Sequence, residues 1–233
     1  MSERGRQLDV RRLGTRPYEE VWRLQQDLVG KRAADEIPDT LVLTEHESVI
    51  TVGRKSPRED VRDAGLPVFE VERGGEATWH GPGQVVAYPI VLLPEGRRDL
   101  HRYLRDLEEV VLRVLAEVEI EGRRVPGRTG VWIGDRKVCS IGVAVRRWVT
   151  WHGFALNVHT GPAAFAGLRP CGLDPSTMTR VADHADIPPA TILFEVLIVK
   201  HFLEVFDLEL PSPPPPPSSQ GQSGFPDLPI LPG

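Results

Sequence analysis

The chain carries two thiols, Cys139 and Cys171, in different settings. Cys171 sits in Leu168-Arg169-Pro170-Cys171-Gly172-Leu173, between a proline and a glycine and outside any apolar periodic run. A loop should therefore present it, and the chemistry on offer is nucleophilic attack through the thiolate. Cys139 lies in the β-prone run Lys137-Val138-Cys139-Ser140-Ile141-Gly142 and reads as a small buried hydrophobe. The second group that could do chemistry is residues 73–89, where Gly74, Gly75, Gly81, Gly83 and Pro82 surround Arg73, Thr78, Trp79 and His80. Glycines permit positive φ and let a ligand touch the main chain, while a proline stiffens the turn. The run lacks the Lys-Ser/Thr ending of a P-loop and the spacing of a dinucleotide fingerprint, so a phosphate cradle is not expected. His46 between Glu45 and Glu47 has no second His/Cys set at ligand spacing, and no metal site is expected.

These groups need elements to position them. Residues 8–13 alternate as a first strand. Residues 17–34 read as an amphipathic helix entered through Pro17, with Glu19 and Glu20 at its positive end. The β-branched runs 40–44 and 48–52 suggest two buried strands joined by a short turn, and 68–71 leads into the glycine loop as another strand. Residues 99–118 repeat apolar positions at three and four, with Asp99 as N-cap, and 190–206 read as a further helix. Between them, 130–133, 137–145 and 149–158 predict a three-stranded meander. If the middle strand is regular, Lys137, Cys139 and Ile141 share one face and Val138, Ser140 and Gly142 the other. Lys137 by itself reads as an exposed charge beside a tight turn. Gly153 and Ala155 alternate along the last strand, and small residues at that period leave a groove. Hairpins with inserted helices describe an α+β fold, a mixed β-sheet with flanking helices.

With 233 residues the chain can build one sizeable core, expected over residues 1–210, and 211–233 form a Pro-rich flexible tail. A net charge of −5 argues against a nucleic-acid partner and against an anionic membrane surface. No apolar run approaches the roughly 18 residues of a membrane span, and the start lacks a signal-peptide core. A cytoplasmic protein with free thiols is expected.

Residues 73–84, Arg-Gly-Gly-Glu-Ala-Thr-Trp-His-Gly-Pro-Gly-Gln, resemble the signature Arg-Gly-Gly-x-x-Thr-aromatic-His-Gly-Pro-Gly-Gln of the lipoyl(octanoyl) transferases. Lys137 to Gly142 is similar to that family's Lys-x-x-x-x-Gly strand, and His152-Gly153-Phe154-Ala155-Leu156-Asn157 to the segment that follows. Pro170-Cys171-Gly172 resembles its catalytic cysteine loop, and Thr177-Met178-Thr179 its Met-Thr element. The resemblance runs in order over residues 41–181; it departs at Trp79, where many relatives have Tyr, and in the tail.

The resemblance implies the fold of the lipoate and biotin protein ligase catalytic domains. It also implies transfer of an octanoyl group from octanoyl-acyl carrier protein, through a thioester on Cys171, to a lysine of lipoyl domains. Acceptors would be the 2-oxoacid dehydrogenase E2 subunits and the glycine cleavage H protein. Lys137 would favour the Cys171 thiolate and then relay protons. The acyl chain would be walled by Arg73, Gly74, Gly75, Glu76, Ala77, Thr78, Trp79 and His80, by Ser140, Ile141 and Gly142, and by Gly153, Phe154 and Ala155. No cofactor is expected, and the enzyme is expected to act as a monomer. Two other readings are an ATP-dependent lipoate or biotin ligase, which would not need the Cys171 thiol, and a non-catalytic acyl-protein binding module.

Overall fold

Valine, leucine and isoleucine alternate to both sides of the central strands, so the sheet they form is buried on both faces. The computed structural model describes residues 6–56, 65–166, 168, 174–187 and 190–212. Its elements are β1 (Arg6–Arg16), α1 (Tyr18–Ala33), β2 (Asp39–His46), β3 (Val49–Val52), β4 (Val68–Glu70), β5 (Thr78–His80) and β6 (Gln84–Ile90). There follow α2 (Leu100–Ala116), β7 (Arg123–Val125), β8 (Arg128–Ile133), β9 (Arg136–Arg146), β10 (Val149–Asn157), α3 (Thr191–Phe206) and β11 (Leu208–Glu209). Leu41 and Leu43 of β2, Val85 and Ala87 of β6, and Phe154 and Leu156 of β10 pack against α2 and α3. Val42, Val86, Tyr88 and Ala155 point the other way, where Val21, Leu28 and Val29 of α1 cover them.

The large sheet has eight strands in the order β11-β1-β2-β6-β10-β9-β8-β7, with β1 parallel to β2 and β11 and the remaining pairs antiparallel. This is the mixed sheet with flanking helices that the sequence predicts. A second sheet, β4-β3-β5, stands apart from it. Residues 40–44 and 48–52 fall in buried strands, β2 and β3, joined by a short turn as the sequence suggests, but the two do not pair with each other. The end of β2 stays bonded to β1, with Thr15 opposite Glu45 and Arg16 opposite His46, and the His46 ring holds the Arg16 carbonyl at 3.0 Å. The chain therefore turns out of the large sheet, and Val49 pairs with His80 in the small one.

Asp99 caps α2 as expected, its carboxylate accepting from the backbone N–H groups of His101 (2.8 Å) and Arg102 (3.2 Å). About two turns further along α2, Glu108 is fully buried. Its Oε1 accepts from the Gly130 N–H at 3.0 Å, and its Oε2 accepts from Arg105 (2.6 Å) and Arg124 (3.1 Å). The carboxylate thus fixes the edge of β8 to α2. The arginines are half-exposed and can turn to water, but removing the carboxylate strands the buried Gly130 N–H, so Glu108→Ala should cost about 1–3 kcal/mol. Urea unfolding should show this, with Glu108→Gln losing less because it keeps an acceptor for Gly130.

Candidate active site

A pocket lies on the α1 side of the large sheet, under the small sheet. Its floor is the centre of β9 and β10, where Ser140 stands opposite Ala155, Ile141 opposite Phe154, and Gly142 opposite Gly153. Arg73, Gly75, Thr78 and His80 form the roof, and Tyr18, Val86, Tyr88 and His152 close the sides. The small side chains of the floor let the roof descend. A Cβ on Gly142 would stand 2.8 Å from the Gly74 carbonyl oxygen, and Gly74 N–H donates to Val143 O at 2.9 Å.

Ten residues singled out in the sequence therefore line one cavity: Arg73, Gly75, Thr78 and His80, then Ser140, Ile141 and Gly142, then Gly153, Phe154 and Ala155. Four others do not line it. Gly74 ties the roof to β9, and the Glu76 carbonyl receives a 2.8 Å bond from Arg73. Ala77 and Trp79 turn away into a cluster with Ile50, Phe165, Leu168 and Met178, the indole meeting Phe165 edge-on at 5.8 Å. Sequence reasoning missed Tyr18, Val86, Tyr88 and His152. Val86 and Tyr88 share the strand period after the signature, and His152 adjoins Gly153, so a signal existed for those three. Tyr18 at the head of α1 had none, since only the tertiary fold brings it here.

A buried hydrogen-bond chain supports the roof. Arg73 donates to the Thr51 hydroxyl at 2.9 Å and to the Thr51 carbonyl at 2.9 Å. Thr51 Oγ1 is 3.3 Å from His80 Nε2, and His80 Nδ1 is 2.7 Å from Gln84 Oε1. The Gln84 carbonyl can only accept, so Nδ1 carries the proton and Nε2 accepts from the Thr51 hydroxyl. Gln84 Nε2 donates to Asn157 Oδ1 at 2.9 Å, and Asn157 Nδ2 donates to the Thr179 carbonyl at 3.0 Å. His46, weighed above as a metal ligand, instead bridges the Arg16 carbonyl and, at 2.8 Å, the Tyr88 hydroxyl.

Lys137 is buried, not the exposed turn residue that its local sequence suggests. The regular alternation expected around it also fails. Opposite Val131 stands Cys139 and opposite Trp132 stands Lys137, which leaves Val138 as an extra residue, a β-bulge. Val138 and Cys139 both enter the α2/α3 core, and Lys137 is carried to the other face, its Nζ 5.2 Å from the Trp132 ring centroid. Gly130 makes room, since a Cβ there would meet Lys137 Cε at 2.6 Å. Lys137 also pairs with Met178, and its carbonyl accepts from Thr179 N–H at 2.9 Å. Cys171 lies outside the described residues, as do its neighbours Pro170 and Gly172. Cys139 is fully buried, and burial pushes its thiol well above the ordinary range.

Burial holds three imidazoles beside or near the cavity neutral. It lowers His46 to about 4. His80 falls to about 3 through burial, with His46 and Arg73 adding, and His152 falls to about 3 through burial, with Arg73 and Arg54 adding. The ordinary value is 6.5, so the unfolded chain binds protons below it that the folded chain refuses. Stability is therefore full above pH 6.5 and is lost as pH falls toward about 3. Each imidazole contributes a slope of up to about 1.4 kcal/mol per pH unit. Urea unfolding across pH 7 to 4 should show this loss, and His46→Gln should make it shallower.

The chain matches the lipoyl protein ligase A/B catalytic domain family over residues 17–203. It is 49% identical over 217 residues to an octanoyltransferase of Rubrobacter xylanophilus, covering 88% of this chain and 96% of that one. It is 51% identical over 164 residues to an octanoyltransferase of Geobacter metallireducens, covering 70% and 77%. Its fold resembles that of a bipartite lipoate protein ligase from Thermoplasma acidophilum, with a TM-score of 0.69 at 17% identity over 89% of this chain and 86% of that one. The chain accordingly belongs to the octanoyltransferase family of transferases, built on the lipoyl protein ligase A/B catalytic domain.

Proposed function

We propose that the chain moves an octanoyl group from octanoyl-acyl carrier protein to a lysine of lipoyl domains, through a thioester on Cys171. The observation that carries this reading is the groove of small residues on β9 and β10 opening on the face to which the bulge turns Lys137. An apolar floor with neutral polar walls suits a saturated chain, which has nothing to hydrogen-bond except its carbonyl. The Cys171 thiolate attacks the donor thioester carbonyl, the acyl–sulfur bond to the carrier breaks, and the carrier thiolate leaves with the proton of the Lys137 ammonium, which leaves Lys137 a neutral amine. The acceptor lysine, as the free amine, then attacks the enzyme thioester. The amide forms, the Cys171 thiolate departs, and the ammonium proton passes to Lys137.

The segment that follows Cys171 supports this pairing, because Met178 stands beside Lys137 in a parallel bridge and the Thr179 N–H donates to the Lys137 carbonyl. Acceptors are the lipoyl domains of 2-oxoacid dehydrogenase E2 subunits and the glycine cleavage H protein. Among the described residues no helix is long and apolar enough to cross a membrane, and we assign the enzyme to the cytoplasm. We take residues 1–210 as the catalytic domain and 211–233 as a tail outside it.

Incubation with octanoyl-acyl carrier protein and no ATP should add one octanoyl mass to the protein, removable by hydroxylamine and mapping to Cys171. Cys171→Ala should abolish transfer, while Cys139→Ala should keep most of it. An adduct on Cys139, or a strict need for ATP, would overturn the reading.

Lys137 is expected to serve two separable roles. Lys137→Met should slow alkylation of Cys171 by iodoacetamide near neutral pH, and Lys137→Arg should retain part of that effect because the charge remains. Both should depress single-turnover transfer by at least about tenfold, since a guanidinium cannot release a proton at working pH. Unchanged alkylation and transfer in both variants would return Lys137 to a packing role.

A further inference from the structure

The ladder of β9 and β10 gives the pocket a direction. From Lys137 the rows run Ser140/Ala155, Ile141/Phe154, Gly142/Gly153, then Val143/His152. The next row, Ala144/Trp151, no longer lines the pocket. It belongs to a neighbouring open groove that Arg54, Glu72 and Arg146 also line. His152 thus stands where the pocket ends and the groove begins. The ladder from Ser140 to Val143 spans about 10 Å, the reach of an extended chain of about eight carbons.

His152 holds this place against two costs. Its φ is +53°, a left-handed conformation that side chains other than glycine seldom adopt inside a strand. Its ring is nearly fully buried, and among the described residues Nε2 has no hydrogen-bond partner, with Glu72 Oε2 at 3.7 Å. The conformation is over-determined by its surroundings. Gln25 accepts from the His152 N–H at 2.9 Å, and the imidazole stacks on Trp151 at 4.4 Å. Strain retained at the end of a ligand pocket points to a role for the side chain so placed.

We propose that His152 is the end wall of the acyl pocket and the residue that limits acyl-chain length. The inference rests on the acyl-transfer reading above. Replacing the imidazole with a smaller group joins the pocket to the groove along Ala144 and Trp151, so that a longer chain passes through the gap.

The test is the ratio of kcat/KM for dodecanoyl- to octanoyl-acyl carrier protein in wild type, His152→Gly and His152→Asn, the two replacements that best tolerate positive φ. Each methylene admitted or excluded by an apolar pocket is worth roughly tenfold or more, so the ratio should rise at least about tenfold in the glycine variant. A second measurement uses the unaltered protein: octanoyl-acyl carrier protein with a diazirine at the terminal carbon should crosslink to His152 or Trp151. An unchanged ratio in a folded variant would sink the proposal, as would crosslinks confined to the Ser140/Ala155 row. So would an equal loss for both chain lengths. If wild type transfers neither chain and forms no thioester, the acyl-transfer reading itself fails, an outcome distinct from all of these.

Discussion

The buried amide of Gln84 joins the two sheets, and the site depends on that joint. Its oxygen accepts a hydrogen bond from Nδ1–H of His80, which belongs to the small sheet, while its nitrogen donates to Asn157 in the large one. An amide can satisfy both only in one orientation, because each end has a partner of fixed role. The consequences spread in two directions. Through His80 and Thr51 the amide settles where the Arg73 guanidinium lies, and with it the roof of the pocket. Through Asn157 it reaches the Thr179 carbonyl, and Thr179 is itself bonded to Lys137. Roof and the strand that carries Lys137 are thus referred to one buried group.

A single extra residue decides which side of the sheet carries the charge. In a regular strand Lys137 would follow Cys139 and Ile141 into the apolar core between sheet and helices, where an ammonium would be costly. The bulge at Val138 sends an apolar side chain there instead and turns Lys137 over the Trp132 indole, where a cation is favourably placed. Gly130 is the complement on the partner strand, since it leaves space for the lysine stem and lends its N–H to Glu108. Bulges of this kind re-aim one side chain without disturbing the rest of the ladder.

Local patterns and long-range pairings were not equally legible. The three helices follow from apolar spacing and caps, as Asp99 illustrates, because those signals lie within a few residues of one another. Which sheet each strand joins does not, because it depends on partners far along the chain: β3 leaves β2 for His80, and β11 pairs with β1 from the opposite end of the sequence. The pocket shows the same division. Its roof and floor came from quoted motifs, while Tyr18 comes from a helix with no motif, and Trp79 sits inside the signature yet packs against Phe165. A motif names residues that act together without telling which of them touch a ligand and which hold up the others.

The polar groups of the pocket gain their meaning from being neutral. Tyr18, Tyr88, His80 and His152 are all pushed by burial toward their uncharged forms. Arg73, the cation of the roof, is turned onto the carbonyls of Thr51, Gly74 and Glu76. A cavity so lined offers an uncharged chain walls that neither repel it nor demand a counter-charge, whereas an ionised ligand buried there would lose its hydration for little return. Charge is instead placed at the Lys137 end of the same strand, several residues from the His152 row. Between that lysine and Arg146 at the far end of β9, the strand's contribution to the pocket floor, Ser140, Ile141 and Gly142, is a stretch without charge.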